Sequence, residues 1–174
     1  MPIPLVMTLV GADHTGLVES VARAVAEHGG NWLESRMCRL GGEFAGILRV
    51  ESPAEKKNAL LAALQNISGL NVVVQPGRSA IAATSGRQTK LEIIGSDRPG
   101  IVREITSALA RANVNVEEFS SELVSAPMSG ETLFKAIARL QLPEKCDLAA
   151  LKKDVEKIAA DLLVDVSFAE LAGK

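Results

Sequence analysis

One half of this chain repeats the other. Val10-Gly11-Ala12-Asp13-His14-Thr15-Gly16-Leu17-Val18 lies over Ile94-Gly95-Ser96-Asp97-Arg98-Pro99-Gly100-Ile101-Val102 at an offset of 84 residues. The same offset carries Ala24 onto Ala108, Ala26 onto Ala110, Asn31 onto Asn115 and Glu34 onto Glu118. Beyond that the offset becomes 90, with Phe44, Ile47, Arg49 and Pro53 matching Phe134, Ile137, Arg139 and Pro143. The six added residues fall near Ser125-Ala126-Pro127-Met128-Ser129-Gly130, a turn-rich stretch. A longer hairpin loop is tolerated there, because closure entropy grows slowly with loop length. Glycines, an acid and an asparagine match in order, so 174 residues are best divided into one small module used twice.

Within each copy the hydrophobic period alternates. Leu5 to Val10 and Lys90 to Ile94 are short apolar runs ending at glycine, which suits a buried strand. Ile101, Ile105, Ala108, Leu109 and Ala112 recur at three- and four-residue spacing and predict an amphipathic helix. Leu17, Val21, Ala24, Val25 and His28 repeat the pattern, and Gly29-Gly30 ends it, since glycine accepts a left-handed backbone. Two strands follow, around 32–40 and 44–51, joined by Gly41-Gly42 as a hairpin turn; their counterparts are 114–125 and 131–141. Pro53 and Pro143 precede second helices, carrying Leu60, Leu61, Leu64 and Ile67, and Leu148, Leu151, Val155, Ile158 and Leu162. The closing strands are Leu70 to Val74 and Leu163 to Phe168.

The order βαββαβ, twice, predicts an α+β fold of two tandem ferredoxin-like domains. Each is expected to hold a four-stranded antiparallel sheet with two helices on one face. A right-handed crossover leaves the first and second strands parallel but not adjacent. The domains are placed at 1–76 and 89–174, with 77–88 as a small, polar linker in which Ala80-Ile81-Ala82-Ala83 could add a short edge strand.

Composition narrows the functions. Hydrophobic residues make up 47% and charged ones 23%, enough apolar material for a core. With 19 basic and 21 acidic residues spread along the chain, net charge is -2, which provides no field for nucleic-acid phosphates or anionic membranes. Met1-Pro2-Ile3-Pro4 lacks the basic start of a secretory signal, and no apolar run approaches membrane-spanning length, so a cytoplasmic location is expected. Cys38 and Cys146 are far apart and outside any Cys-x-x-Cys pair; they read as small buried hydrophobes.

The most informative segment is Gly95-Ser96-Asp97-Arg98-Pro99-Gly100-Ile101-Val102, at the first strand–helix junction of the second copy. Asp97 is expected as the N-cap, its carboxylate accepting the Gly100 amide, and Pro99 suits the first turn, where a missing N–H is no loss. A capped helix start explains the pattern by itself. Equally, spare amides at this helix end could bind a carboxylate. Both copies need the same turn, so the repeat alone does not choose between these readings.

Gly-x-Asp-x-x-Gly-[Leu/Ile]-Val at this junction, then an amphipathic helix, then an asparagine opening the second strand, resembles the ACT domain family. The second copy matches through Asp97, Arg98, Pro99, Gly100, Ile101 and Asn115. The first keeps Gly11, Asp13, Gly16 and Asn31 but has His14 and Thr15 where the family usually has Arg or Lys and Pro. A tandem pair without an attached domain resembles the glycine cleavage system transcriptional repressor group. The resemblance implies a small amino acid as effector, no cofactor, and action through a protein partner such as a transcription factor, with a homodimer as one arrangement. Formyltetrahydrofolate deformylases carry a similar Asp-Arg-Pro-Gly-Ile-Val start, so a detached regulatory module of such an enzyme is an alternative, as is an adaptor pair that binds nothing.

The ligand residues implied are Gly11, Asp13, His14, Gly16, Leu17 and Asn31, then Gly95, Asp97, Arg98, Pro99, Gly100, Ile101 and Asn115. A zwitterion needs N–H donors for its carboxylate and oxygen acceptors for its ammonium. Gly100 and Asn115 are 15 positions apart across a helix, roughly 20 Å at ~1.5 Å per residue, so they cannot share one ligand within one copy. Two pseudo-symmetric sites are therefore expected, the Asp97 loop meeting Asn31 and the Asp13 loop meeting Asn115, either between the repeats or between two chains. His14 could contact ligand or remain a solvated loop histidine. His28 reads as a helix-end capping or packing residue, Trp32 as core, and Arg49 and Arg139 as solvated strand positions. Arg98 could attract the effector's carboxylate or be an exposed first-turn residue.

Rival classes have less support. No Ser/His/Asp set, Cys–His pairing or metal-ligand cluster is readable, and two histidines with no tyrosine leave few acid–base groups, so catalysis and metal binding are not expected. Acylphosphatases share the topology, but their glycine-rich phosphate loop with its arginine has no counterpart here. RNA-recognition motifs also run βαββαβ and stack bases on aromatics, which here total 3% with no basic-aromatic pattern on the third strands.

Overall fold

The computed structural model describes residues 1–77, 86–126 and 130–170. The chain divides into two compact units, Met1–Ile81 and Ala82–Lys174. Unit 1 runs β1 (Pro2–Ala12), α1 (Leu17–Glu27), β2 (Asn31–Leu40), β3 (Glu43–Pro53), a 3-10 turn (Ala54–Lys56), α2 (Lys57–Gln65) and β4 (Leu70–Pro76). Unit 2 runs β5 (Arg87–Ser96), α3 (Ile101–Arg111), β6 (Asn115–Ser125), β7 (Thr132–Leu142), α4 (Leu148–Leu162) and β8 (Val164–Glu170). The sheets are ordered β2-β3-β1-β4 and β6-β7-β5-β8, and every paired neighbour is antiparallel. The βαββαβ order is thus realised twice. β5 begins at Arg87, inside the stretch read as linker, while Ala80-Ile81-Ala82-Ala83 lies outside the described residues.

Strand alternation sends one set of side chains toward the helices. In unit 1 Leu5, Met7, Leu9, Leu48 and Val50 meet Leu17, Val21 and Val25 of α1 and Leu60 and Leu64 of α2, all buried. In unit 2 Leu91, Ile93, Ala136, Ala138 and Leu140 meet Ile101, Ile105 and Leu109 of α3 and Leu151 and Val155 of α4. Each full burial of such a side chain contributes about 1.5–3 kcal/mol. Trp32 packs partly buried against the first core, as its sequence position suggested. Cys38 does not follow expectation: it is exposed, because β2 is an edge strand and Cys38 pairs with Ala45 on the face away from the helices. Cys146 is partly buried against the second core.

The repeat extends to backbone detail. Both edge strands bulge at one point, between Trp32 and Glu34 and between Val116 and Glu118. Both first helices end in a Schellman turn. In α1 the Gly29 amide bonds to Ala26 O and the Gly30 amide to Val25 O; in α3 Asn113 and Val114 do the same with Ala110 and Leu109. Asn113 takes the left-handed position (φ 54) that Gly29 holds in unit 1 (φ 68). Gly11 and Gly95 have a packing reason: a Cβ there would lie 2.2 Å from Gly69 O and 2.6 Å from Val164 Cα, where the last strand of each unit starts.

The faces turned away from the helices differ. Around Thr8 in unit 1 stand Ile47 and Val73, its cross-strand partners, with Val6 and Val10 along the same strand. Ile47 and Val73 are more than half exposed. Unit 2 carries ion pairs on that face, Lys90 with Glu92, Lys135 with Glu122 (3.7 Å), and Arg139 with Glu118.

Candidate functional site

The two strand–helix turns are built alike, though not as the sequence predicted. Asp97 is not the N-cap. Gly100 is, in a left-handed conformation (φ 99), with no side-chain bond capping the helix. Gly16 caps α1 the same way (φ 88). The turn reverses direction at this glycine, which places the aspartate three residues too early for its carboxylate to reach the first helical amides. Pro99 accordingly lies before the helix, not in its first turn. A Cβ on either glycine would meet nothing within 4 Å, so the residue is required by its dihedral angle and not by crowding.

This cap leaves donors without intrahelical partners. The first helical bond runs from the Glu104 amide to Gly100 O (3.0 Å), so the amides of Ile101, Val102 and Arg103 precede the intrahelical ladder. They carry the positive end of the helix dipole. Ile101 anchors the turn, buried in the core at 2% exposure, while Asp97, Arg98, Pro99 and Gly100 are exposed. The Asp97 amide itself is held by Thr132 O at 3.4 Å, which ties the turn to β7.

Unit 1 keeps the backbone but occupies the groups. The Asp13 amide bonds to Gly42 O (3.0 Å), and the Asp13 carboxylate is paired with Arg39 at 2.7 Å. The Leu17 amide, a first-turn donor, reaches back to His14 O at 3.4 Å. The His14 ring lies 3.1 Å from Thr15 O through Nδ1, an exposed local contact. Arg39 was missed in the sequence because it has no basic counterpart in the repeat, its position in unit 2 being Leu123; the two-residue Gly41-Gly42 turn, which fixes the register of β2, was the available signal. His28, by contrast, behaves as a helix-end residue, with Nδ1 at 2.8 Å from Ala24 O.

The asparagines stand apart from these turns. Asn31 and Asn115 open β2 and β6, just past the C-terminal ends of α1 and α3. With 11 residues in α3, its ends are about 16 Å apart. Each unit therefore brings its Asp, Gly and apolar residues together at one end of the first helix and its asparagine at the other. Asn115 lines a groove of about 450 Å³ with Asn113, Gln141, Pro143 and Lys145. Among the described residues no group of three or more His, Cys, Asp or Glu could hold a metal ion, and no helix is long and apolar enough to cross a membrane.

Two βαββαβ units, each with a left-handed glycine starting the helix after its first strand, define a tandem ferredoxin-like protein. The chain belongs to the ACT domain family, whose pattern it matches over residues 4–74 and again over 91–169. A crystal structure of an unknown protein from Galdieria sulphuraria superposes over 99% of this chain and 100% of its own, with 26% identity and a TM-score of 0.84. A candidate glycine cleavage system transcriptional repressor superposes over 99% of both chains with 19% identity and a TM-score of 0.71, a likeness of fold. UPF0237 proteins of Methanopyrus kandleri and Methanocaldococcus jannaschii are each 35% identical, over 42% and 44% of this chain and 77% and 79% of their own length.

Proposed function

We propose that this chain is a non-catalytic sensor that binds a small free amino acid and acts through a protein partner, a transcription factor governing amino-acid or one-carbon metabolism. The observation that carries the reading is the Gly100 turn. Three successive amides at a helix N-terminus lie outside the intrahelical ladder, with no side-chain cap among the described residues. They can accept a carboxylate, and Asp97 beside them can hold an ammonium. The turn supplies one side of a ligand's contacts. Because Asn115 is at the far end of α3, an asparagine from a second copy of the chain, Asn31 or Asn115, is the natural acceptor on the other side. The two-unit fold shared with a candidate glycine cleavage repressor makes glycine the first effector to test. Glycine has five heavy atoms, so at about −1.5 kcal/mol per atom its best Kd is micromolar.

The first turn favours a second role. With Asp13 engaged by Arg39 and the Leu17 amide by His14, unit 1 reads as the weaker site or as a scaffold for partner contact. Calorimetry of the full chain with glycine, serine and a panel of other amino acids tests both ideas. Saturable binding is expected, weakened by Asp97→Asn and by Asn31→Ala. Arg39→Leu, which releases Asp13, should strengthen a second binding event severalfold. No heat with any amino acid would reject the sensor and leave the adaptor; binding indifferent to Asp97 would move the site elsewhere.

A further inference from the structure

Unit 1 holds an open groove of about 760 Å³ where β1 ends, β3 begins and the chain turns from α2 into β4. Its polar side chains are Glu43, Gln65, Asn66, Ser68 and Asn71, and no Lys, Arg or His is among its lining residues. Glu43 makes no ion pair among the described residues. Helix α2 ends there at Gln65, so its last carbonyls add the negative end of a helix dipole. Gly69 (φ +75) lets the Asn66–Gly69 turn double back, and Gly69 O presses against Gly11 on β1. The surroundings are therefore rich in acceptors and poor in positive charge.

The repeat provides a control. In unit 2 the turn from α4 to β8 is the single residue Leu163 in a left-handed conformation, and Leu133 stands where unit 1 has Glu43, each opposite the last β1 or β5 position. Both the carboxylate and the four-residue turn belong to unit 1 alone. A divalent metal would require several anionic oxygens, and a single carboxylate among amides does not supply them. A primary ammonium, with three donors and one charge, matches one carboxylate surrounded by neutral acceptors.

We propose that this groove is a second ligand site, independent of the carboxylate-binding turns, which takes a small primary amine as its ammonium through a salt bridge to Glu43 and hydrogen bonds to Asn66, Ser68 and Asn71. The test uses the full chain, isotopically labelled, titrated with butylamine and followed by NMR. Saturable shifts at Glu43 and across Asn66–Asn71 are expected. Glu43→Gln, at an exposed hairpin-end position, should weaken binding about tenfold by removing the one charge-assisted contact. Its melting temperature should match the parent's. Shifts confined to other acidic surface positions, equal affinity in Glu43→Gln, or no saturation at millimolar amine would each overturn the proposal.

Discussion

The Asp13 and Asp97 turns share a backbone and differ in what their side chains do. In both, a left-handed glycine starts the helix and the aspartate amide is pinned to the neighbouring hairpin, at its turn in unit 1 and at the start of β7 in unit 2. In unit 1 the carboxylate and one first-turn amide are already satisfied; in unit 2 neither the Asp97 carboxylate nor the Ile101 amide has such a partner among the described residues. Geometry is thus the inherited part of the duplication, while chemical availability is the part that has diverged. The outer sheet faces say the same: Thr8 with Val6, Ile47 and Val73 around it in one unit corresponds to Glu92 with Lys90, Ile137 and Ser167 in the other.

If the turns are equivalent in geometry, alanine should be equally harmful at both glycines. A non-glycine residue in the left-handed region costs roughly 1–2 kcal/mol. Gly16→Ala and Gly100→Ala should each lower the melting temperature of their unit by about 2–8 °C, at 2–4 °C per kcal/mol for a chain of this size. Measured by thermal unfolding, a loss at one position and none at the other would break the equivalence. Since no Cβ contact is available to compensate, steric accommodation cannot hide the effect.

That glycine also shows where sequence reading reached its end. The elements, their order and most core positions were legible, because periods of two and 3.6 survive in Leu5, Met7 and Leu9 or in Ile101, Ile105 and Leu109 whatever the tertiary context. The cap was not. Asp97 and Pro99 imitate a standard helix start, and nothing local reveals that Gly100 turns left-handed and caps the helix three residues later. Cys38 was misplaced for a related reason: a one-residue bulge after Trp32 resets which face of β2 each later residue occupies. The site residues on the turns were found together, whereas Arg39 reaches Asp13 only through hairpin register.

A smaller effect is expected at the other end of the first helices, where the comparison is between glycine and asparagine. Gly29 and Asn113 hold the same left-handed position in the same pair of turn hydrogen bonds. Asparagine tolerates that region, glycine enters it without a Cβ penalty. Asn113→Gly should therefore stabilise unit 2 by about 0.5 kcal/mol, and Gly29→Asn should destabilise unit 1 by a similar amount. Denaturant melts of the two variants check the pair, and effects of the same sign would show that the turns are not interchangeable.

The smallest effect concerns charge on the outer face of unit 2. Lys90 holds the Glu92 carboxyl below its ordinary range, first by a hydrogen bond and then by its positive charge, with Lys135 adding to it. A depressed carboxyl pKa contributes stability above the unfolded-state value, and that contribution is lost as pH falls through the folded-state value. The Glu92 side chain is about half exposed, so solvent and salt screen the interaction. Lys90→Val, which installs the residue that unit 1 has at Val6, should raise the Glu92 pKa toward that of a free glutamate in an NMR titration, while leaving stability near pH 7 almost unchanged. An unmoved pKa would mean that Lys135, across the sheet, governs the carboxyl, and a large stability loss would mean that this face is a structural network and not a solvated one.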